Sequence, residues 1–388
     1  MEDNYLNYKF LRFSLGIDSP DARNEDWLNE LNGKELFDFA KRQSLLGIFF
    51  DGIAKLKGKH AIDRMILLKW YATAETIKEK NKLLFDKSAE IHQQIKGLGF
   101  DNVILKGQGN ALLYPNMWSR SPGDIDVWVN CSRKELRGIA HALTKSKDSI
   151  GEESLNHIEL RIDNIAVELH ATPAIVCNFL HNKRLQKWIA EKSSIQWNNI
   201  ERTPEKNKPF AVPTISFNLV YQLIHLYHHY FFEGVSLKQI VDYYFVLKTA
   251  RRSNLQPDET ITTIKELGIY GFAGAVMYVL QEILGLEQHE AIAPTDKKRG
   301  KALLTEIQHN DPQAHAFRKN MLKHNTDRLK RDMMLLRHYP QEALCEPVFR
   351  IYHYLWRMTE RKELQGKTFF NKGMQHMWKI LRKFARKL

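Results

Sequence analysis

The sequence predicts an α+β protein in which a small mixed β-sheet core, about residues 100 to 172, is embedded between N-terminal and C-terminal helical regions. Three observations predict this. Residues 1 to about 98 place apolar side chains three and four apart, the spacing of helices that bury one face. From Phe100 the character changes to short β-like runs separated by Gly, Pro, Asn and Asp. Beyond Pro173 the helical spacing returns. A chain of 388 residues with 43% hydrophobic content can bury a substantial core. The expected division is a helical region 1–98, a mixed core 99–200, a helical domain 201–365 and a basic tail 366–388.

In order, the first helical stretches are Trp27 to Gln43 and Ala74 to Ile95, after which Gly97 and Gly99 break the pattern. The strand-like runs are Asp101 to Lys106, Ile125 to Val129, Leu155 to Ile162 and Ile165 to His170. Pro204, Pro209 and Pro213 mark a loop, and Ile215 to Phe231, Leu237 to Ala250 and Ala273 to Leu284 are the clearest later helices. Helices are expected to dominate from Pro312 onward.

The net charge is +13 and the pI about 9.4. Such a balance favours an anionic contact: nucleic acid, nucleotide phosphate, a membrane surface or an acidic partner. Part of the excess is local, because removing the seven basic residues between 366 and 388 leaves +6. That tail spaces Phe370, Met374, Met377, Leu381, Phe384 and Leu388 as an amphipathic basic helix. It would dock on the protein's own body, lie on an anionic membrane or contact nucleic acid. The opening residues lack the basic-then-apolar order of a secretory signal, and no run approaches the roughly 18 apolar residues of a membrane span. Cys131, Cys177 and Cys345 have no metal-ligand or disulfide spacing, so a cytoplasmic setting is expected.

The most informative stretch joins Asn102 to Gly107 with Asp124-Ile125-Asp126-Val127-Trp128-Val129. Residues two apart in a strand share a face, which sets Asp124 beside Asp126 while Ile125, Val127 and Val129 enter the core. Adjacent carboxylates repel unless a cation lies between them, and hard oxygen ligands suit Mg²⁺. Upstream, Lys106-Gly107 running into Gln108-Gly109-Asn110 reads as strand, tight turn and helix, a place for phosphate. A third carboxylate follows from hairpin geometry. Leu155 to Ile162 and Ile165 to His170 flank the two-residue turn Asp163-Asn164, both tolerant of positive φ. Pairing outward sets Glu159 opposite Glu168 and His157 opposite His170. One face is then wholly apolar; the other carries His157, Glu159, Arg161, Glu168 and His170.

The ordered set Leu105-Lys106-Gly107, Tyr114-Pro115, Arg120, Gly123 to Val129 and Val167-Glu168-Leu169-His170 resembles the uncharacterised bacterial nucleotidyltransferase family of the polymerase-β-like superfamily. His225 to Gly234, followed by Leu237 to Asp242, is similar to that family's second recurring block. The resemblance implies nucleotidyl transfer from an NTP, ATP among the candidates, with two Mg²⁺ (or Mn²⁺) ions held by Asp124, Asp126 and Glu168. It further implies that Lys106, Gly107, Gln108, Arg120, His170, Lys238 and Asp242 lie on the nucleotide side. Two positions depart from the usual pattern: Gln108 follows Gly107 where a small residue is common, and Lys238 replaces an arginine. The acceptor is left open between a small molecule, a glycan precursor, a protein hydroxyl and a tRNA end. The alternative is a nucleotide-binding or regulatory protein without turnover on the same fold. His225 and His229 share a helix face as zinc ligands would, but no third ligand accompanies them, and pocket histidines are the preferred reading.

Overall fold

The computed structural model describes residues 4–18, 26–56, 62–144, 146, 149–309 and 335–365. The expected tail helix lies outside the described residues. Four N-terminal helices come first: α1 (Tyr5–Leu15), α2 (Gly33–Arg42), α3 (Leu46–Lys55) and α4 (Arg64–Gly97). Where one helix was expected from Trp27 to Gln43, the chain breaks at Asn32. Its side chain accepts the Lys34 and Glu35 backbone N–H groups and so caps α2. Asp63 caps α4 in the same way, so that helix begins ten residues before the expected Ala74.

The core sheet contains β1 (Asn102–Leu105), β2 (Ile125–Val129), β3 (Ile150–Glu153), β4 (His157–Ile162) and β5 (Ile165–His170) in the order β1-β2-β5-β4-β3. The β2–β5 pair is parallel and the others antiparallel. A parallel pair needs a crossover; here it is supplied by α6 (Arg133–Leu143), β3 and β4. The β4–β5 register matches the sequence expectation pair for pair, from Ile162–Ile165 to His157–His170. Asp163 and Asn164 take φ of 49° and 66°, the conformation of the favoured two-residue hairpin turn. Strand β3 was not foreseen, since its polar residues show no alternation.

The two faces of the sheet have different destinations. Ile125, Val127, Val129, Ile158, Leu160, Val167 and Leu169 pack under α4 and α6, against Leu84, Phe85, Ile91, Ile95, Leu136 and Ile139. On the opposite face, Val103, Leu105 and Trp128 join a larger cluster with the later helices. Those are α7 (Phe179–Gln196), α8 (Ile215–Phe232), α9 (Leu237–Arg252), α10 (Asp258–Glu266), α11 (Tyr270–Leu284), α12 (Lys297–His309) and α13 (Pro340–Gln365), with the one-turn α5 (Gly107–Ala111) following β1. Trp128 sits 4.3 Å from the Trp197 ring and 5.6 Å from Phe217. The proline-marked loop contains a small hairpin, β6 (Ile200–Arg202) with β7 (Pro209–Ala211), which buries Phe210 under α4. Pro209 is tolerated because it opens a strand at the edge of a two-stranded ribbon. No helix among the described residues is long and apolar enough to cross a membrane.

The N-terminal helices also reach the site through one loop. Asn81 of α4 donates to the carbonyls of Trp118 (2.9 Å) and Arg120 (2.8 Å), and Asn116 donates to Asp51 of α3 (3.0 Å). Gly47 of α3 lies against the Ser119 carbonyl so closely that a Cβ would overlap it. Gly47→Ala is therefore expected to cost about 1–3 kcal/mol through forced displacement of the 116–120 segment. Urea denaturation checks this, and unchanged stability would contradict the close approach.

Candidate active site

A cleft of about 510 Å³ opens between the polar face of the sheet and helices α8 and α9. This is ample for a small-molecule ligand. Asp126 lies on β2 directly beside Glu168 on β5, because the parallel register pairs the two positions. Asp124 precedes β2 by one residue and completes the group: one carboxylate oxygen from each of the three lies within 4.8 Å of the others. Asp126 is almost fully buried. Its Oδ1 meets Lys106 Nζ at 3.1 Å and His170 Nε2 at 3.1 Å, while its Oδ2 is buried with no hydrogen-bond partner.

Lys106 ends β1 with φ 34° and ψ −139°, a backbone conformation that side-chain-bearing residues rarely adopt. Such strain costs on the order of 1–3 kcal/mol and clusters at functional sites. Here it turns the chain so that Nζ faces the carboxylates. Burial works against the Lys106 charge, but Asp126 and Asp124 outweigh it and hold the amine well above its usual range. Burial likewise opposes a charged His170. Hydrogen bonds from its ring to Asp126 and Glu168 outweigh that, so its pKa is raised. Glu168 is lowered: burial pushes its carboxyl up, and the His170 hydrogen bond and charge more than reverse this.

The remaining expected residues separate into two groups. Arg120 lines the cleft, yet two of its nitrogens are held by Asp242: Nε to Oδ1 and Nη2 to Oδ2, both at 2.7 Å. Tyr114 donates to the same Oδ1 at 2.6 Å. Asp242, expected on the nucleotide side, lines the cleft and anchors Arg120, which in turn pins the loop before β2 to α9. The Gln108 side chain is also turned away. It is buried against α4, 3.4 Å from Ser88 Oγ, and is not among the cleft-lining residues. Gly107 faces the cleft with φ 44°, a backbone conformation that favours glycine. The segment after it is only five residues of helix, and the Gly109 N–H already bonds the Lys106 carbonyl.

Lys238 differs from Arg120. It lies beside Gly123 at the cleft, with no ion pair among the described residues. Burial first, and then the neighbouring Arg120 charge, lower its pKa to about 8, with Asp242 and Asp124 pulling the other way.

Helix α8 forms the facing wall. Tyr221, His225 and His229 occur at every fourth position and line the cleft. His225 and His229 meet through their Nε2 atoms at 3.0 Å, and His229 Nδ1 meets Glu233 at 2.9 Å. Burial holds His225 well below its usual range and lowers His229 too, although Glu233 opposes the shift at His229. Tyr221 was not singled out in the sequence, and Glu233 entered only as part of the block His225 to Gly234. The signal available for Tyr221 was its place four residues before His225 on one helix face.

The model of a family described as uncharacterised nucleotidyltransferase matches residues 29–285. The chain belongs to this nucleotidyltransferase family. The match runs from just before α2 to the end of α11 and contains the whole cleft. No curated protein matches the chain. A crystal structure of an antigenic nucleotidyltransferase-like protein from Paracoccidioides brasiliensis is similar over 57% of this chain and 96% of its own, at 14% identity and a TM-score of 0.32. In this nucleotidyltransferase the three carboxylates fit a divalent cation on structural grounds. They converge from two paired strands, and the partnerless Asp126 Oδ2 is a buried oxygen that a cation would satisfy.

Proposed function

We propose that this chain transfers the nucleotidyl group of an NTP to an acceptor hydroxyl, using Mg²⁺ or Mn²⁺ held by Asp124, Asp126 and Glu168. The observation that carries the reading is the convergence of these carboxylates around an unsatisfied Asp126 oxygen in a cleft with two lysines. Bound there, the ions would lower the pKa of the attacking hydroxyl and neutralise the departing pyrophosphate. Lys106 neutralises Asp126 in their absence and stays in reach of phosphate oxygens. Lys238, with no ion pair among the described residues, is the cation best placed to receive the triphosphate. Arg120 acts through Asp242 to hold the loop carrying Asp124, a positioning role. Gln108, the departure that favours the alternative of binding without turnover, weighs less because its side chain is buried against Ser88 and does not line the cleft.

Thermal stabilisation by each of the four NTPs tests the metal–nucleotide site. A ligand at 100 times its Kd adds about 2.7 kcal/mol. Stabilisation should require Mg²⁺ and vanish in Asp126→Asn; binding indifferent to both would overturn the reading.

Lys238 adds a pH dependence. Its free-state pKa of about 8 would rise on contact with phosphate, so the charged form is favoured in the complex. Affinity should be flat below pH 8 and fall by up to about tenfold per unit above it, where binding must take up a proton. Lys238→Gln should weaken binding and remove the slope; calorimetric Kd values between pH 6 and 9.5 check both.

A further inference from the structure

We propose that the cleft holds a further cation position in which His157, His170 and Glu168 ligate a first-row transition ion such as Co²⁺ or Zn²⁺. One ligand atom from each of these residues lies within 4.8 Å of the other two. Glu168 Oε2 is 3.3 Å from His170 Nε2 and 3.9 Å from His157 Nδ1, and the two imidazole centroids are 5.2 Å apart.

The scaffold suits ligation. His157 and His170 are direct cross-strand partners, and Glu168 precedes His170 by two residues on the same face. Directly opposed residues bring their Cβ atoms to about 4.5–5.5 Å, a separation that lets two rings converge on one ion. The hairpin is fixed by its tight turn and by the apolar reverse face under α4 and α6. Ligands on paired strands hold their geometry better than ligands on loops. His157 Nδ1 is the ring nitrogen turned toward Glu168; Ser154 Oγ meets that same atom at 3.0 Å and would give it up on ligation. The face is open, with the His157 side chain 20% and Glu168 25% exposed toward the cleft.

Donor chemistry separates this position from the carboxylate cradle. Asp124, Asp126 and Glu168 offer oxygen alone, which suits Mg²⁺; two imidazoles and one carboxylate suit borderline first-row ions, which Mg²⁺ does not replace well. Glu168 belongs to both sets, so the ions would sit side by side with the nitrogen-ligated one on the β4 side. The inference rests on the proposed function only through Glu168 as a metal ligand.

The test titrates metal-free, full-length protein with Co²⁺ in the presence of excess Mg²⁺ and without nucleotide, and records the visible absorption and the hyperfine-shifted imidazole proton signals of the bound ion. Shifted histidine signals are expected in the wild type. His157→Ala should reduce them and weaken Co²⁺ binding by about tenfold or more. His157→Gln serves as the second variant, with circular dichroism confirming the fold of each. Three results would overturn the inference: no Co²⁺ binding, bound Co²⁺ without shifted histidine signals, or unchanged affinity in both variants. Mg²⁺-dependent nucleotide stabilisation is measured in parallel on the wild type. If it is absent while the histidine signals persist, the proposed function fails and this site stands; the reverse pattern removes this site alone.

Discussion

Asp242→Ala is expected to destabilise the folded chain by about 3–5 kcal/mol, one of the largest losses available from a single substitution here. Asp242 is 4% exposed, and it neutralises an equally buried Arg120 through two hydrogen bonds of 2.7 Å while accepting a third from Tyr114. Removing it strands the guanidinium in a low-dielectric site next to Lys238, leaving Arg120 without its carboxylate partner. Guanidinium denaturation measures the loss; a change below 1 kcal/mol would contradict the pairing. The pH dependence has a definite sign. Burial raises the Asp242 carboxyl, but the Arg120 charge and hydrogen bond reverse this and hold it below the usual range. Its contribution is complete above the unfolded Asp value of about 4 and is lost as pH falls through the lower folded value. Asp242→Asn should lack that acid-dependent component.

Asp124→Asn should behave in the opposite way, with a large loss of activity and little loss of stability. Asp124 has no ion pair among the described residues and sits between two other carboxylates and the charges of Lys106 and Lys238, so neutralising it relieves repulsion while giving up attraction, and the two largely offset. Thermal stability should be nearly unchanged. A divalent ion contributes several kcal/mol of transition-state stabilisation, so pyrophosphate release should fall on the order of 10³-fold. A variant that unfolds, or one that keeps more than a tenth of the wild-type rate, would contradict this account of Asp124.

The sequence made the sheet legible where local rules are strict. The Asp163-Asn164 turn fixes hairpin register, and strand periodicity then places Glu168 and His170 on one face and Val167 and Leu169 on the other. The same rule separates Asp126 from Val127. Partners distant in sequence were not legible. The family resemblance puts Arg120 on the nucleotide side, and only the fold shows two of its nitrogens held by a carboxylate 122 positions away. The helix start at Arg64 and the β6–β7 hairpin were missed because an Asp cap and a Pro-rich turn look alike without their tertiary contacts. The N-terminal helices share one apolar cluster with α8, α9, α11 and α12, a packing that no local period reveals. Gln43 shows it most simply, accepting from Leu237 N and donating to the Ile307 carbonyl, both at 2.9 Å.

The central claim is that the α-phosphorus is attacked and pyrophosphate leaves. The most direct measurement supplies NTPs labelled at the α- or the γ-phosphate, with Mg²⁺ and a cell extract as the source of acceptor, and follows the label. The account predicts covalent transfer of α-label, release of γ-label as pyrophosphate, and loss of both in Asp124→Asn. Transfer of γ-label, or no transfer by a protein that binds Mg²⁺–NTP, would contradict it.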